Sequence, residues 1–166
     1  TGTTSYLLVA ADVGSTIRVV VTASNGSGPG APATSAQSPL VTAPAAGGTD
    51  LALGKVASAS SVDQYTANAT AAKAVDGDGT TRWSSAYTDN QWWQVDLGSA
   101  QTVSSVSIDW EAAYASSYKI QVSTNGTTFT DVATVTGTGA GVKTTAFTAV
   151  SARYVRMLGI TRATGY

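Results

Sequence analysis

The chain has 166 residues, a formal net charge of -1 and only 11% charged side chains, a balance that argues against nucleic-acid binding and against a polybasic membrane patch. It contains no Cys, which removes disulfides and thiolate metal sites, and no His, which removes the imidazole base and zinc triads of much hydrolase chemistry. No apolar run approaches the roughly 18 residues that a membrane-spanning helix needs.

The length allows one domain or two small ones, and a compositional break over residues 39–48 divides the chain into two units. Residues 5–9 and 17–22 read as strands rich in Val, Ile and Leu, joined by the turn signal AADVGS. Two strands cannot bury a stable core, so this first part is expected to be poorly ordered in isolation. The following GPGAPATSAQSPLVTAPAAGGT holds all four Pro and reads as a linker, with residues 39–41 able to form one more strand. The chain opens without Met or a signal-like segment and is expected to be a fragment. A surface rich in Thr, Ser, Ala and Gly is common in secreted bacterial proteins, which sets the expected location as secreted or on a bacterial cell surface.

Beyond Thr49 short β-branched segments alternate with Gly, Asn and Ser turns, the pattern of a β-sandwich. The run AVDGDGTTRWSSAYTDNQWWQVDLG, residues 74–98, collects three of the four Trp, one Arg and four Asp. Its Asp76-Gly77-Asp78-Gly79 opening can take positive φ at either Gly and turn oxygens toward a common centre. That suits calcium, and it equally suits a plain tight turn. An EF-hand is excluded because Tyr87 stands where that loop requires a bidentate Glu. Arg82, Trp83 and Tyr87 follow in a stretch too polar to bury all it carries. Residues 91–97 then alternate, with Trp93, Val95 and Leu97 on one face and Trp92, Gln94 and Asp96 on the other, and Gly98 is expected to end that strand.

Val106, Ile108 and Trp110 share one strand face opposite Ser105, Ser107 and Asp109, and Tyr118, Ile120 and Val122 alternate in the same way with Lys119, Gln121 and Ser123. Thr124-Asn125-Gly126 supplies a turn. Further strands are expected at residues 132–135, around Phe147, and through Tyr154, Val155 and Met157. Helix has little support, because β-branched residues and Ser dominate the apolar segments.

Five blocks in order resemble the discoidin family, also called the coagulation factor 5/8 type C domain, whose bacterial branch is the family 32 carbohydrate-binding modules. They are DLALGKVASASS, AVDGDGTTRWSSAY, QWWQVDLGS, WEAAYASSYKIQVSTNG and ARYVRMLG. The likeness covers nearly everything after Thr49. It implies an all-β galactose-binding-like jelly-roll β-sandwich over residues 50–166, with ligands bound by loops at one end and a structural calcium near the Asp-Gly turn. The earlier YLLVAADVGSTIRVVVTASNGSG resembles the C-terminal half of a bacterial immunoglobulin-like repeat. The expected organisation is therefore a partial immunoglobulin-like unit over residues 1–42, a Pro/Ala/Gly linker over 43–49 and the discoidin-type domain.

The resemblance assigns the calcium to the Asp76 side chain, the carbonyls of Lys73 and Asp78, and the carbonyl or hydroxyl of Thr81. Family members usually continue past the equivalent of Tyr166 into a strand carrying another acidic ligand, so the site is expected to be weak here. In glucan- and chitosan-binding members the Arg and Tyr of RWSSAY and the Glu of WEAAYA line the ligand loop, which corresponds to Arg82, Tyr87 and Glu111, with Tyr166 on the same rim. Chemistry supports the set: a sugar ring has an apolar C–H face for an aromatic platform and a hydroxyl rim for Arg donors and Glu acceptors. The alternatives are that Arg82 is spent on an ion pair with Asp76 or Asp78 and that Tyr87 packs inward. Trp83, Trp93 and Trp110 read as core, and Trp92 against Trp93 leaves one of the two to pack differently.

The expected function is a non-catalytic module binding a polysaccharide of the β-glucan or chitosan class for an attached glycoside hydrolase, with cell-surface attachment as the alternative. An enzyme is disfavoured: Asp109 and Glu111, the nearest carboxylate pair by spacing, lie about 7 Å apart along one strand and face one way, leaving no opposed pair across a cleft.

Overall fold

The computed structural model describes residues 15–39, 41 and 49–166, and the chain divides into two compact units, Thr1–Gly48 and Thr49–Tyr166. In the first unit β1 (Val20–Val21) pairs antiparallel with β4 (Ala33–Thr34), and β2 (Ser24–Asn25) with β3 (Gly28–Pro29) in a hairpin turning at Gly26-Ser27. The backbone ladder extends outward from β1, with Ser35 N–H donating to Val19 O, Ser38 N–H to Ile17 O and Val41 N–H to Ser15 O. Part of the Pro-rich stretch is thus paired, through β3, β4 and the amides of Ser35, Ser38 and Val41. Pro fits there because its fixed φ is extended and its missing N–H falls on edges. The proposed strand at residues 5–9 and the AADVG corner lie outside the described residues.

The second unit is all-β. Its sheet runs β5 (Val56–Ala59), β6 (Trp92–Trp110), β9 (Gly141–Arg162), β7 (Ala115–Ser123), β8 (Thr130–Thr136), every neighbour antiparallel. One 3-10 turn, Ala71–Ala74, is the only helical element among the described residues of this unit.

Two expectations about strand limits are corrected. Gly98 does not end its strand: at φ 86° it sits in a register break between Asp96 and Gln101, and β6 runs on to Trp110. Likewise the segments around Phe147 and Met157 are one strand, β9. A bulge bends a strand and raises its twist, so the β6–β9 pair acts as two limbs joined at a crease. Trp92 to Asp96 face Leu158 to Tyr154 in one limb; Gln101 to Trp110 face Ala152 to Gly141 in the other.

Side chains of both limbs enter one core, where Val95, Leu97 and Val103 of β6 meet Tyr118, Ile120 and Val122 of β7 and Ala152, Val155 and Met157 of β9. Tyr118 and Ile120 are fully buried. Val106, Ile108 and Trp110 pack against this cluster, as their alternation predicts, and the Trp110 ring lies 5.4 Å from that of Tyr118. Burial of a Tyr- or Ile-sized side chain stabilises by about 1.5–3 kcal/mol, so the β7 inner face is a main source of stability. Trp93 also turns inward and donates through Nε1 to Ala71 O. Trp92 packs differently, on the opposite face, where the Arg156 guanidinium lies over its ring at 4.6 Å and over Phe129 at 3.6 Å while donating twice to Gln94 Oε1.

The crease is held by charge. Arg153 donates through Nε and Nη2 to the two oxygens of Asp96, each at 2.8 Å, and Asp96 Oδ1 also accepts the Gly98 N–H. Arg153 and the Gly98 amide hold the Asp96 carboxyl well below the usual carboxylate range. A carboxyl depressed in the folded state adds stability above its unfolded pKa of about 3.9 and loses it as pH falls through the folded value. Asp96→Ala is therefore expected to lower the thermal midpoint at pH 7, with the gap to the parent narrowing between about pH 4 and pH 2. A gap independent of pH in thermal unfolding followed by circular dichroism would contradict this.

In the first unit Val19, Val20 and Val21 are 59%, 57% and 59% exposed, so its ladder has little apolar cover. Amide exchange over residues 17–22 is expected to be fast relative to β6 and β7; equal protection would show that the ladder is buried in solution.

Candidate carbohydrate-binding site

The loops at one end of the second unit converge. The loop after β5 meets the start of β6, where Ser60 N–H donates to Trp92 O. Gly159 N–H of β9 donates to Gln91 O just before β6, and Ala163 N–H just after β9 donates to Tyr114 O just before β7. The loop carrying Glu111, the loop carrying Tyr87 and the segment carrying Tyr166 are thereby fastened to the ends of neighbouring strands.

Tyr87 lies at the surface, 37% exposed, so the inward-packed alternative is not what the structure shows. Its ring sits between two others: Tyr166, edge-on at 5.8 Å and 85°, and Tyr65, tilted by 33° at 5.9 Å. Its phenol donates to Asp63 Oδ2 at 3.3 Å. Burial, then the nearby Asp63 carboxylate, raise the Tyr87 phenol above its ordinary value, while the Thr66 hydroxyl and Tyr65 amide lower Asp63. Both shifts keep the phenol a donor and the carboxylate an acceptor near neutral pH.

Arg162 builds the other side. Its backbone N–H and Nε both donate to Asp89 Oδ1, at 3.0 and 3.1 Å, and its Nη1 donates to Tyr87 O and Gly165 O. One guanidinium therefore ties the Tyr87 loop to the segment that carries Tyr166, which sets the edge-on geometry of the two rings. The planar fork of Arg suits such a multiple bridge; a Lys point charge does not.

Arg82 is exposed and makes no ion pair or hydrogen bond among the described residues. The ion pair with Asp76 or Asp78 is not formed, because nearer groups occupy both carboxylates: Lys73 Nζ and Thr81 Oγ1 bind Asp76, and Thr80 binds Asp78 Oδ1 through its amide and hydroxyl. Glu111 is exposed just past β6, with Oε2 accepting the Ala113 N–H. Asp109 is exposed too. No hydrogen bond joins Arg82, Tyr87 and Glu111 to one another among the described residues; each is exposed.

Sequence reasoning did not single out Tyr65, Asp63 or Arg162. The signal for Tyr65 was present in SVDQYTANAT, a polar loop with an aromatic ring, by the argument that selected Tyr87. Arg162 had none, since its partners Tyr87 and Asp89 lie more than 70 positions away.

The Asp-Gly turn is also built. Gly77 takes φ 81°, whereas Gly79 does not enter the left-handed region. The Thr81 hydroxyl lies 3.2 Å from Lys73 O, 3.0 and 2.9 Å from the Asp76 oxygens and 3.1 Å from Asp78 O. Four oxygens thus converge on one hydroxyl, and three of them also accept from other donors, those of Asp76 from the Asp78 N–H and Lys73 Nζ, and Asp78 O from the Thr81 N–H. Those residues fit an oxygen-seeking cation. Among the described residues no cluster of three or more acidic, His or Cys side chains exists, and the Asp76 charge is offset by Lys73 at 3.1 Å.

A creased antiparallel sandwich with exposed aromatic rings on end loops defines a galactose-binding-like module. The chain belongs to the F5/8 type C family, whose model, described as a NedA-like, galactose-binding domain, matches residues 73–157. It is similar to the crystal structure of chitosan-binding module 1 from a chitosanase/glucanase of Paenibacillus sp. IK-5, at 51% identity and TM-score 0.66, covering 70% of this chain and 89% of that one. It is also similar to chitosan-binding module 2 of the same enzyme in complex with chitotriose, at 42% identity and TM-score 0.67, covering 70% and 92%. A third relative is the family 32 carbohydrate-binding module of AlyQ in complex with 4,5-unsaturated mannuronic acid, at 30% identity and TM-score 0.56, covering 66% and 84%. No curated protein matches the chain.

Proposed function

We propose that residues 50–166 form a non-catalytic module that binds a polysaccharide of the chitosan or β-glucan class and holds an attached glycoside hydrolase of a secreted bacterial protein on it. The observation that carries this reading is the surface ring of Tyr87, braced by the edge of Tyr166 through the Arg162 bridge. The relatives that are named as chitosan-binding, one of them in complex with chitotriose, supply the ligand class.

Each group has a task that follows from its chemistry. Tyr87 offers a flat apolar face to the C–H side of a pyranose, and Tyr166 stands as a wall beside it. Arg82, with no partner among the described residues, offers donors to ring hydroxyls. Glu111 offers an acceptor to hydroxyls and a counter-charge to the ammonium of glucosamine. Tethering multiplies the effect, because a bound module converts each encounter of the attached enzyme with substrate into an intramolecular one.

Calorimetric titration with chitosan oligomers, set beside β-glucan oligomers, tests the proposal. Tyr87→Ala is expected to weaken binding by about 1–3 kcal/mol through lost stacking and burial, with the far-ultraviolet spectrum unchanged. Unaltered affinity would remove Tyr87 from the site.

Calcium at the Asp-Gly turn belongs to the same proposal. Lys73 O, Asp78 O, the Asp76 carboxylate and Thr81 would hold it, and it would brace the loop that leads to Arg82 and Trp83. With one carboxylate already paired to Lys73, ligand charge is low, so affinity is expected in the range of about 0.1–1 mM typical of extracellular modules. Titration giving micromolar affinity, or binding that survives Asp76→Ala, would contradict this.

A further inference from the structure

Tyr65 carries a ring that the fold does not use. It is 75% exposed, and its hydrogen bond is made by its backbone, whose N–H donates to Asp63 Oδ1 at 2.8 Å. A lone exposed ring needs no explanation, but this one is neither alone nor loosely placed. Its centroid lies 5.9 Å from that of Tyr87 with 33° between the ring planes, so the two exposed rings are close neighbours on one surface. Tyr166 closes the other side of Tyr87 at 85°. Tyr87 thus has an exposed ring within 5.9 Å on each of two neighbouring segments, Tyr65 and Tyr166.

One carboxylate is bonded to both tyrosines. Asp63 is only 5% exposed. Its Oδ1 accepts the Tyr65 N–H, its Oδ2 accepts the Tyr87 phenol and the Thr66 hydroxyl, and its own N–H donates to Ser84 O at 2.7 Å. A buried ionised group is costly unless fully hydrogen-bonded, and here the bonds that satisfy it are those that fix the Tyr65 turn and the Tyr87 ring. The loop after β5 and the loop before β6 are thereby locked as one surface.

We infer that Tyr65 is a second sugar-binding ring, which extends the site by one residue of the polysaccharide beyond the residue on Tyr87, and that Asp63 is the positioning residue for both rings. The inference rests on the reading of Tyr87 as the primary platform. Its distinguishing consequence is chain-length dependence, because a ring that touches only the next sugar contributes nothing to shorter ligands, whereas a ring that merely supports Tyr87 affects every ligand alike.

The test is calorimetry on the 166-residue chain with glucosamine oligomers from one to six residues. For the parent, affinity is expected to rise until both rings are covered. For Tyr65→Ala the rise should stop one residue earlier, leaving the shortest bound oligomer within about twofold of the parent and the longer ones about tenfold weaker. Tyr65→Phe should restore the parent profile. Asp63→Asn should weaken all lengths, since it loosens both rings. Equal weakening at every length in Tyr65→Ala, or no change at any length, would overturn the inference. If Tyr87→Ala weakens binding while Tyr65→Ala leaves the length profile intact, only the inference falls. A parent chain that binds none of the oligomers overturns the underlying reading with it.

Discussion

The antiparallel pairing of β6 with β9 is the constraint from which the rest of the second unit follows. These strands are long enough to serve both limbs of the sandwich, and the crease at Gly98 turns one strand pair into two facing surfaces. Their outer ends fix the site. The Tyr87 loop enters β6 at Trp92, and the Tyr166 segment leaves β9 after Arg162, beside the start of β7. The loop bearing Asp63 and Tyr65 leaves β5, which is paired to the same end of β6. Rings distant in the chain are neighbours because their strands are neighbours.

The loops themselves have almost no regular structure, so side chains satisfy their backbone groups. Ser61 Oγ accepts the Ala86 N–H and bonds Gln91, the Ser61 carbonyl accepts Trp83 Nε1, and Ser84 N–H donates to Ala69 O. Arg162 and Asp63 complete this network on either side of Tyr87. Such cross-links reduce the ordering that a ligand would otherwise have to impose, and preorganisation of this kind raises affinity without adding contacts.

Alternation made the core legible before any coordinates. Val106, Ile108 and Trp110, and Tyr118, Ile120 and Val122, pack as their period of two requires, because one-sided burial forces that pattern. Continuity of β6 through Gly98 was not legible. A glycine after a strand signals a stop and a bulge equally, and the choice depends on β9 supplying partners on both sides of the break. The site divides in the same way. Tyr87 and the Asp76 turn are visible locally, since a ring in a polar loop and a Gly-flanked carboxylate are local features. Asp63 and Arg162 act across 24 and 75 positions, and spacing carries no information at that range. Arg82 shows the converse: an ion pair with Asp76 or Asp78 was the local alternative to a role toward ligand, yet Lys73, Thr80 and Thr81 occupy both carboxylates.

What remains after these internal bonds are counted decides how the module can discriminate. Asp89 is spent on Arg162, Asp63 on Thr66 and the tyrosines, Asp76 on Lys73 and Thr81. Among the charged groups on these loops, Arg82 keeps its full donor set, and Glu111 has only Oε2 engaged, by the Ala113 amide. A surface of three phenols with so few unspent charges gains most from stacking and desolvation, which any pyranose supplies. On the proposed reading, selection among sugars then falls to Arg82 and Glu111, two exposed groups of opposite sign. On that reading affinity rests with the rings and selectivity with the two charges, and the latches that hold the rings, Asp63 and Arg162, involve neither charge.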